Sequence, residues 1–187
     1  RNFDTKETSL ARDLASLLEE SSDVKQKKSM TRMELKRFLQ HRIKKRVKQQ
    51  RENGKFCCLL ENVIADADTL KDAYYCIRIN SNLPLQEENH NIDFHALAEE
   101  IRCGTFDVSK NTVFCSTKRR DKETLILPKL HLKIVQEAMK IVLEVVYKPK
   151  YDKISHGGRS GRGHNAAVNF ILKELPIASW WFTINIR

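Results

Sequence analysis

The sequence predicts an α+β, helix-rich fold with a small β-hairpin, preceded by basic amphipathic helices. Three observations carry this. Apolar residues recur at helical spacing in several stretches, with polar residues on the remaining faces. Two β-rich runs, TVFCST and ETLIL, flank the basic pentad KRRDK and predict a hairpin with a basic tip. Six glycines and four prolines among 187 residues exclude a collagen-like or loop-dominated architecture.

The elements follow in order. Leu10, Leu14, Leu17 and Leu18 place residues 5–20 on an amphipathic helix, and SSDVKQKKS then breaks the pattern as a linker. Thr31-Arg32-Met33-Glu34 matches a capping box, in which a hydroxyl and a carboxylate satisfy the orphan amides of a helix start. The helix it opens has an apolar stripe of Leu35, Phe38, Leu39, Ile43 and Val47, and Asn53-Gly54 is expected to stop it. Its other faces carry Arg37, Arg42, Lys44, Lys45, Arg46, Lys48 and Arg51. No acid occurs between positions 35 and 51, so these charges repel one another unless something anionic neutralises them. Nucleic acid is the expected anion; a membrane surface fits less well because the stripe lacks Trp.

FCCLLENVI is expected to enter a core with Cys57 and Cys58 as small apolar residues. Asp66 or Asp68 caps a helix carrying Leu70, Ala73, Tyr74 and Ile77, and residues 80–92 form a polar loop. Asp93 caps FHALAEEIRCG, which Gly104 ends. After the hairpin, Pro128 closes the second strand. Leu130 to Tyr147 is apolar on more than one face and predicts a buried central helix, with Val135, Met139, Val142 and Val146 inside. KPKYDKISHGGRSGRGH is a Gly/Arg loop, HNAAVNFILKEL a helix stopped by Pro176, and SWWFTINI a buried strand. The expected domains are a helical basic extension, 1–55, and a second domain, 56–187.

Composition bounds the function. The net charge is +10, charged residues make up 31% and hydrophobic ones 41%, so the chain can fold and favours anionic partners. No apolar run approaches the ~20 residues of a membrane span, and RNFDTKETSL has no signal-peptide core. The lack of an initiator Met suggests a fragment or a processed product. Five cysteines, an odd number without CxxC spacing, predict reduced structural thiols and an intracellular compartment. His156 and His164 flank the Gly/Arg loop without a carboxylate or cysteine cluster, and no metal site is expected. GGRSGRGH lacks the Gly-Lys-Ser/Thr ending of a P-loop and contains no GxSxG elbow. It is either a flexible turn or a set of exposed amides that grip phosphate together with Arg159 and Arg162.

The stretches LKDAYYCIRINSN, FHALAEEIRCGTF, TLILPKLHLKIVQEAMKIVLEVVYKPKY, SHGGRSGRGHNAA and SWWFTINIR, in this order, resemble the fingers and early palm of group II intron reverse transcriptase/maturases. The diverged spellings are most similar to plant nuclear-encoded maturases serving mitochondrial introns. The resemblance spans roughly residues 59–187. It implies a reverse-transcriptase-like fingers and partial palm over 56–187, intron RNA as partner, and a mitochondrial location. A homodimer or a splicing ribonucleoprotein is the assembly it implies. No membrane partner is expected.

The departures bear on activity. The resemblance puts Asn185 where the family has a metal-binding Asp, and the family's second catalytic motif, Tyr-Ala-Asp-Asp, would fall beyond residue 187. Two-metal nucleotidyl transfer needs converging carboxylates, so no catalytic residue is assigned. Lys118 aligns with a triphosphate-binding Lys, but Glu123 falls on the corresponding Arg, and Leu132 and Lys133 replace an Asp-Arg pair. The expected function is an RNA-binding maturase-type domain assisting group II intron splicing with a degenerate polymerase site. Its RNA-binding residues would be Arg37, Arg42, Lys44, Lys45, Arg46, Lys48, Lys118, Arg119, Arg120, Arg159 and Arg162. The alternatives are a fragment of an active RNA-directed DNA polymerase, which alone would call for Mg²⁺, and a basic helical scaffold in an RNA–protein assembly.

Overall fold

The computed structural model describes residues 31–80, 92–116, 124–158 and 162–185. The expected helix at 5–20, the polar loop beyond residue 80, the hairpin tip with Lys118, Arg119 and Arg120, and Arg159 lie outside these residues. The chain divides between Leu35 and Lys36 into two units, and the fold described below is that of Lys36–Arg187.

In order, the elements are α1 (Arg32–Gln49), β1 (Arg51–Glu52), β2 (Lys55–Phe56), a π-helical turn (Leu60–Ile64) and α2 (Ala67–Asn80). There follow α3 (Phe94–Arg102), β3 (Thr112–Ser116), β4 (Thr124–Pro128), α4 (Leu130–Tyr147), a 3-10 turn (Lys148–Lys150) and α5 (His164–Glu174). The fold is therefore α+β and helix-rich, with two small antiparallel hairpins among the described residues rather than the one expected.

Local chemistry explains most element starts. The capping box forms: Thr31 N donates to Glu34 Oε2 at 2.8 Å, and Glu34 N donates back to Thr31 Oγ1 at 3.3 Å. Asp66, not Asp68, caps α2 by accepting from Thr69 N at 3.0 Å. Asp93 caps α3 through His95 N and Ala96 N, both at 2.9 Å. Gly104, at φ +69°, turns the chain after α3. Thr112 pairs with Pro128 and Ser116 with Thr124 across the β3–β4 hairpin.

The core joins Ile43 and Val47 of α1 to Val63 and Ile64, Leu70, Ala73 and Tyr74 of α2, Leu97 and Ala98 of α3, and Ile134, Ala138, Ile141 and Val142 of α4. Helices α2 and α4 form its centre.

Four expectations are corrected. Asn53-Gly54 does not cap α1, which ends at Gln49. At φ +47° and +81° the pair turns the β1–β2 hairpin, as Asn-Gly does in tight turns with two left-handed positions. Cys57 and Cys58 are exposed, on the segment that leaves that hairpin, where Cys58 adopts φ +49°. On α4, Val135 and Val142 are buried, but Met139 is exposed and Val146 only half-buried. The helix turns Ile134, Ala138 and Ile141 inward instead, and its apolar residues outnumber the positions one buried face can hold. SWWFTINI is not a buried strand: Trp180, Phe182 and Ile184 are over 80% exposed, and no described strand lies beside them. Strand propensity without a partner edge leaves backbone groups to water.

Candidate nucleic-acid interface

The basic residues of α1 fall into two sets once the helix is in place. Leu39, Ile43 and Val47 face the core. On the opposite side Arg37, His41, Lys45 and Lys48 are exposed, at spacings of four, four and three residues. Those positions share one face and run about 16 Å along the axis at 1.5 Å per residue. Among the described residues, no carboxylate pairs with Arg37, Lys45 or Lys48.

Arg42, Lys44 and Arg46 flank the buried stripe and are consumed internally. Arg46 Nη1 donates to Asp72 Oδ2 at 2.9 Å, and Arg42 Nε lies 3.3 Å from the same oxygen. Asp66 and Asp68 stand 3.8 and 3.6 Å from Arg46, and Lys44 Nζ is 3.2 Å from Glu144 Oε2. Asp72 is 1% exposed. Burial pushes its carboxyl above the usual carboxylate range, while Arg42 and then Arg46 pull it back. The acid-free run of α1 is thus neutralised in part by carboxylates of α2 and α4, which counting along one helix does not see. Three of the six α1 residues expected to bind RNA, Arg42, Lys44 and Arg46, hold the helix to its neighbours.

Beyond α1, Arg162 donates to the Lys153 carbonyl and so ties the Gly/Arg loop to itself. His156 packs on Phe170, ring centroids 5.5 Å apart, with neither ring nitrogen hydrogen-bonded. Asn185 lies on the exposed segment after α5. Among the described residues, no three His, Cys, Asp or Glu side chains assemble as a metal site, and no helix is long and apolar enough to cross a membrane.

The structure also assembles a feature the sequence reading missed. A cleft of about 870 Å³ opens between the C-terminal half of α1, the β1–β2 hairpin and the end of α4 with its 3-10 turn. Six cations line it: Lys44, Lys48, Arg51, Lys55, Lys148 and Lys150, against the single carboxylate of Glu144. Its apolar lining is Phe56, Leu59, Val145, Val146 and Pro149. The Arg51 guanidinium lies 5.7 Å from the Phe56 ring centroid and Lys150 Nζ 5.6 Å from that of Tyr147, so aromatic faces hold these cations. The signals RENGK and YKPK are visible in the sequence, but nothing local joins residues 51–55 to residues 148–150.

Over 181 residues, 96% of its length, the chain is 50% identical to nuclear intron maturase 4, mitochondrial, of Arabidopsis thaliana. It is 29% identical over 143 residues to nuclear intron maturase 3, mitochondrial, of the same plant, and 34% identical over 93 residues to group II intron-encoded protein LtrA of Lactococcus lactis. It spans 23%, 19% and 16% of those three proteins. No family model matches the chain, and no solved structure does.

Proposed function

The chain belongs to the intron maturase family, and on that premise we propose that it is an RNA-binding part of a protein that assists group II intron splicing in mitochondria. The single observation that carries RNA binding is the outer stripe of α1, where Arg37, Lys45 and Lys48 stand exposed with no carboxylate partner among the described residues. Mixed surface charge normally carries its own counter-ions; a stripe without them is matched by phosphate. In this reading residues 56–187 correspond to the fingers and early palm of a reverse-transcriptase-like fold, with β3–β4 as the fingers hairpin. The splicing chemistry stays in the RNA, and the protein stabilises the folded intron by contacts to shape and backbone. Intron RNA is the partner, alone or within a homodimer or a larger ribonucleoprotein. With Asn185 in the position of a metal-binding carboxylate, polymerase chemistry and its Mg²⁺ belong only to the alternative reading.

The test is the salt dependence of binding to a folded group II intron. Replacing Arg37, Lys45 and Lys48 by Ala should lower the slope of log affinity against log salt by about 2–3, near one per lost phosphate contact, without moving the melting temperature. An unchanged slope removes this face from the interface. Equal affinity for the intron and for bulk RNA of the same length favours a general basic scaffold over a maturase role.

A further inference from the structure

We infer that the cleft between α1, the β1–β2 hairpin and the end of α4 is a site for one unpaired nucleotide, its base on the apolar lining and its flanking phosphates on the lysine rim. The inference rests on the RNA-binding reading and adds the form of RNA that the protein selects.

Three properties of the cleft point there. Its charge is one-sided, since Lys44 neutralises Glu144 at 3.2 Å, leaving Lys48, Arg51, Lys55, Lys148 and Lys150 unopposed among the described residues. A rim of that kind holds phosphate oxygens. Its lining, however, is apolar, with Phe56, Val145 and Val146 half-buried and Pro149 exposed. A groove that only tracks a phosphate backbone has no use for such a floor, whereas a base released from its stack seeks an aromatic ring or a guanidinium plane. Arg51 above the Phe56 ring, 5.7 Å away, offers both in one place. Finally, about 870 Å³ is the size of a cleft that takes a small-ligand-sized group. A bulged or single-stranded nucleotide satisfies all three. A blunt helix satisfies only the charge, and an acidic peptide brings no flat apolar group to the floor.

The experiment uses the 187-residue chain and three labelled RNA duplexes of one sequence: blunt, with a single bulged uridine, and with an abasic residue at the bulge. Anisotropy titrations should give the bulged duplex about tenfold tighter binding than the blunt one, the low end of a base–aromatic stack. The abasic duplex should fall back to within threefold of the blunt one. Lys148→Ala with Lys150→Ala, both on an exposed turn, should erase the bulge preference; Lys55→Ala in the hairpin is the second variant should the first melt early. Equal binding of bulged and abasic RNA overturns the inference, because the cleft then reads phosphates alone. A preference that survives in both variants also overturns it, because the base then sits elsewhere. Displacement of the bulged RNA by an oligoglutamate peptide at equal or lower concentration assigns the cleft to acidic protein segments instead. In each of these outcomes RNA binding itself stands; loss of binding to all three duplexes, together with the intron, sinks the functional reading along with the cleft.

Discussion

Asp72 is the residue on which the seating of α1 turns. Its carboxylate is 1% exposed and receives Arg46 at 2.9 Å and Arg42 at 3.3 Å. Removing it takes the carboxylate from Arg42 and leaves Arg46 only the longer contacts to Asp66 and Asp68, and the loss of one partner of a buried pair costs several times what a surface pair is worth. Asp72→Ala should therefore lower unfolding stability by about 3 kcal/mol in urea titrations, and Asp72→Asn, which keeps an acceptor for Arg46, by less. The pH response follows from the direction of the shift. A carboxyl raised by burial binds its proton more tightly folded than unfolded, so its contribution is present below the unfolded value and lost as pH rises through the folded one. The urea midpoint of the wild type should fall more between pH 4 and 7 than that of Asp72→Asn; parallel curves would show the site does not titrate there. The cysteines give a second residue-scale outcome. Burial, then Glu137 and Asp72, push the Cys76 thiol up to about 12, so alkylation at pH 7 should reach it only on unfolding. Cys103 is exposed, but its thiol donates to Glu99 Oε1 at 3.2 Å, and that hydrogen bond and charge raise it. Glu99→Gln should speed Cys103 alkylation, measured by mass spectrometry; an unchanged rate would mean that the contact does not form in solution.

At the scale of elements, α4 tests how burial is divided among too many apolar residues. Val142 is 1% exposed and Met139 42%. Val142→Asp should abolish cooperative folding, since an unpaired buried carboxylate costs several kcal/mol, whereas Met139→Asp should leave the melting temperature within a few degrees. Similar melting of the two variants would mean α4 is rotated from the orientation described. This pair also marks what the sequence could and could not carry. The capping box at Thr31, the Asp93 cap, the β3–β4 pairing and the existence of α4 were all legible, because each is decided by residues within a few positions of one another. The inward face of α4 was not, because Met139 and Val135 are equally apolar, and the placement of α2 and the π-helical turn chooses between them. Asn53-Gly54 was misread as a helix stop for a related reason: a turn between two 2-residue strands has almost no strand signal around it. Cys57 and Cys58 followed that error outward. The basic side chains divide the same way. That Arg37, Lys45 and Lys48 share one exposed face follows from helical spacing. The internal pairing of Arg42 and Arg46 with Asp72 spans 30 and 26 residues, and the cleft joins residues nearly a hundred positions apart; neither leaves a local trace.

Among the described residues, two surfaces are of opposite character. One is cationic, formed by the α1 stripe and the cleft. The other is apolar: after α5 the chain runs through Ile177, Trp180, Trp181, Phe182 and Ile184, all exposed, and Val168 and Leu172 of α5 are exposed as well. Large aromatic and branched side chains are among those proteins most often bury, and a run of them left in water is expected to seek another apolar surface. Each such side chain would gain roughly 1.5–3 kcal/mol on full burial, while the net charge of +10 opposes close approach of two copies at low salt. Salt screens that repulsion and leaves the apolar attraction intact. The isolated chain should therefore associate more strongly as ionic strength rises, the reverse of the salt response proposed for RNA. Both tryptophans of the chain lie in this segment, so fluorescence excited selectively at tryptophan reports on it alone. At low protein and low salt the indoles should be readily quenched by acrylamide. Raising salt or concentration should shift their emission to the blue and protect them, in step with a larger sedimentation coefficient. Trp180→Ser with Phe182→Ser should leave the chain monomeric under the same conditions. Association that weakens with salt, or that persists in the double variant, would place the contact on the charged face rather than on this segment.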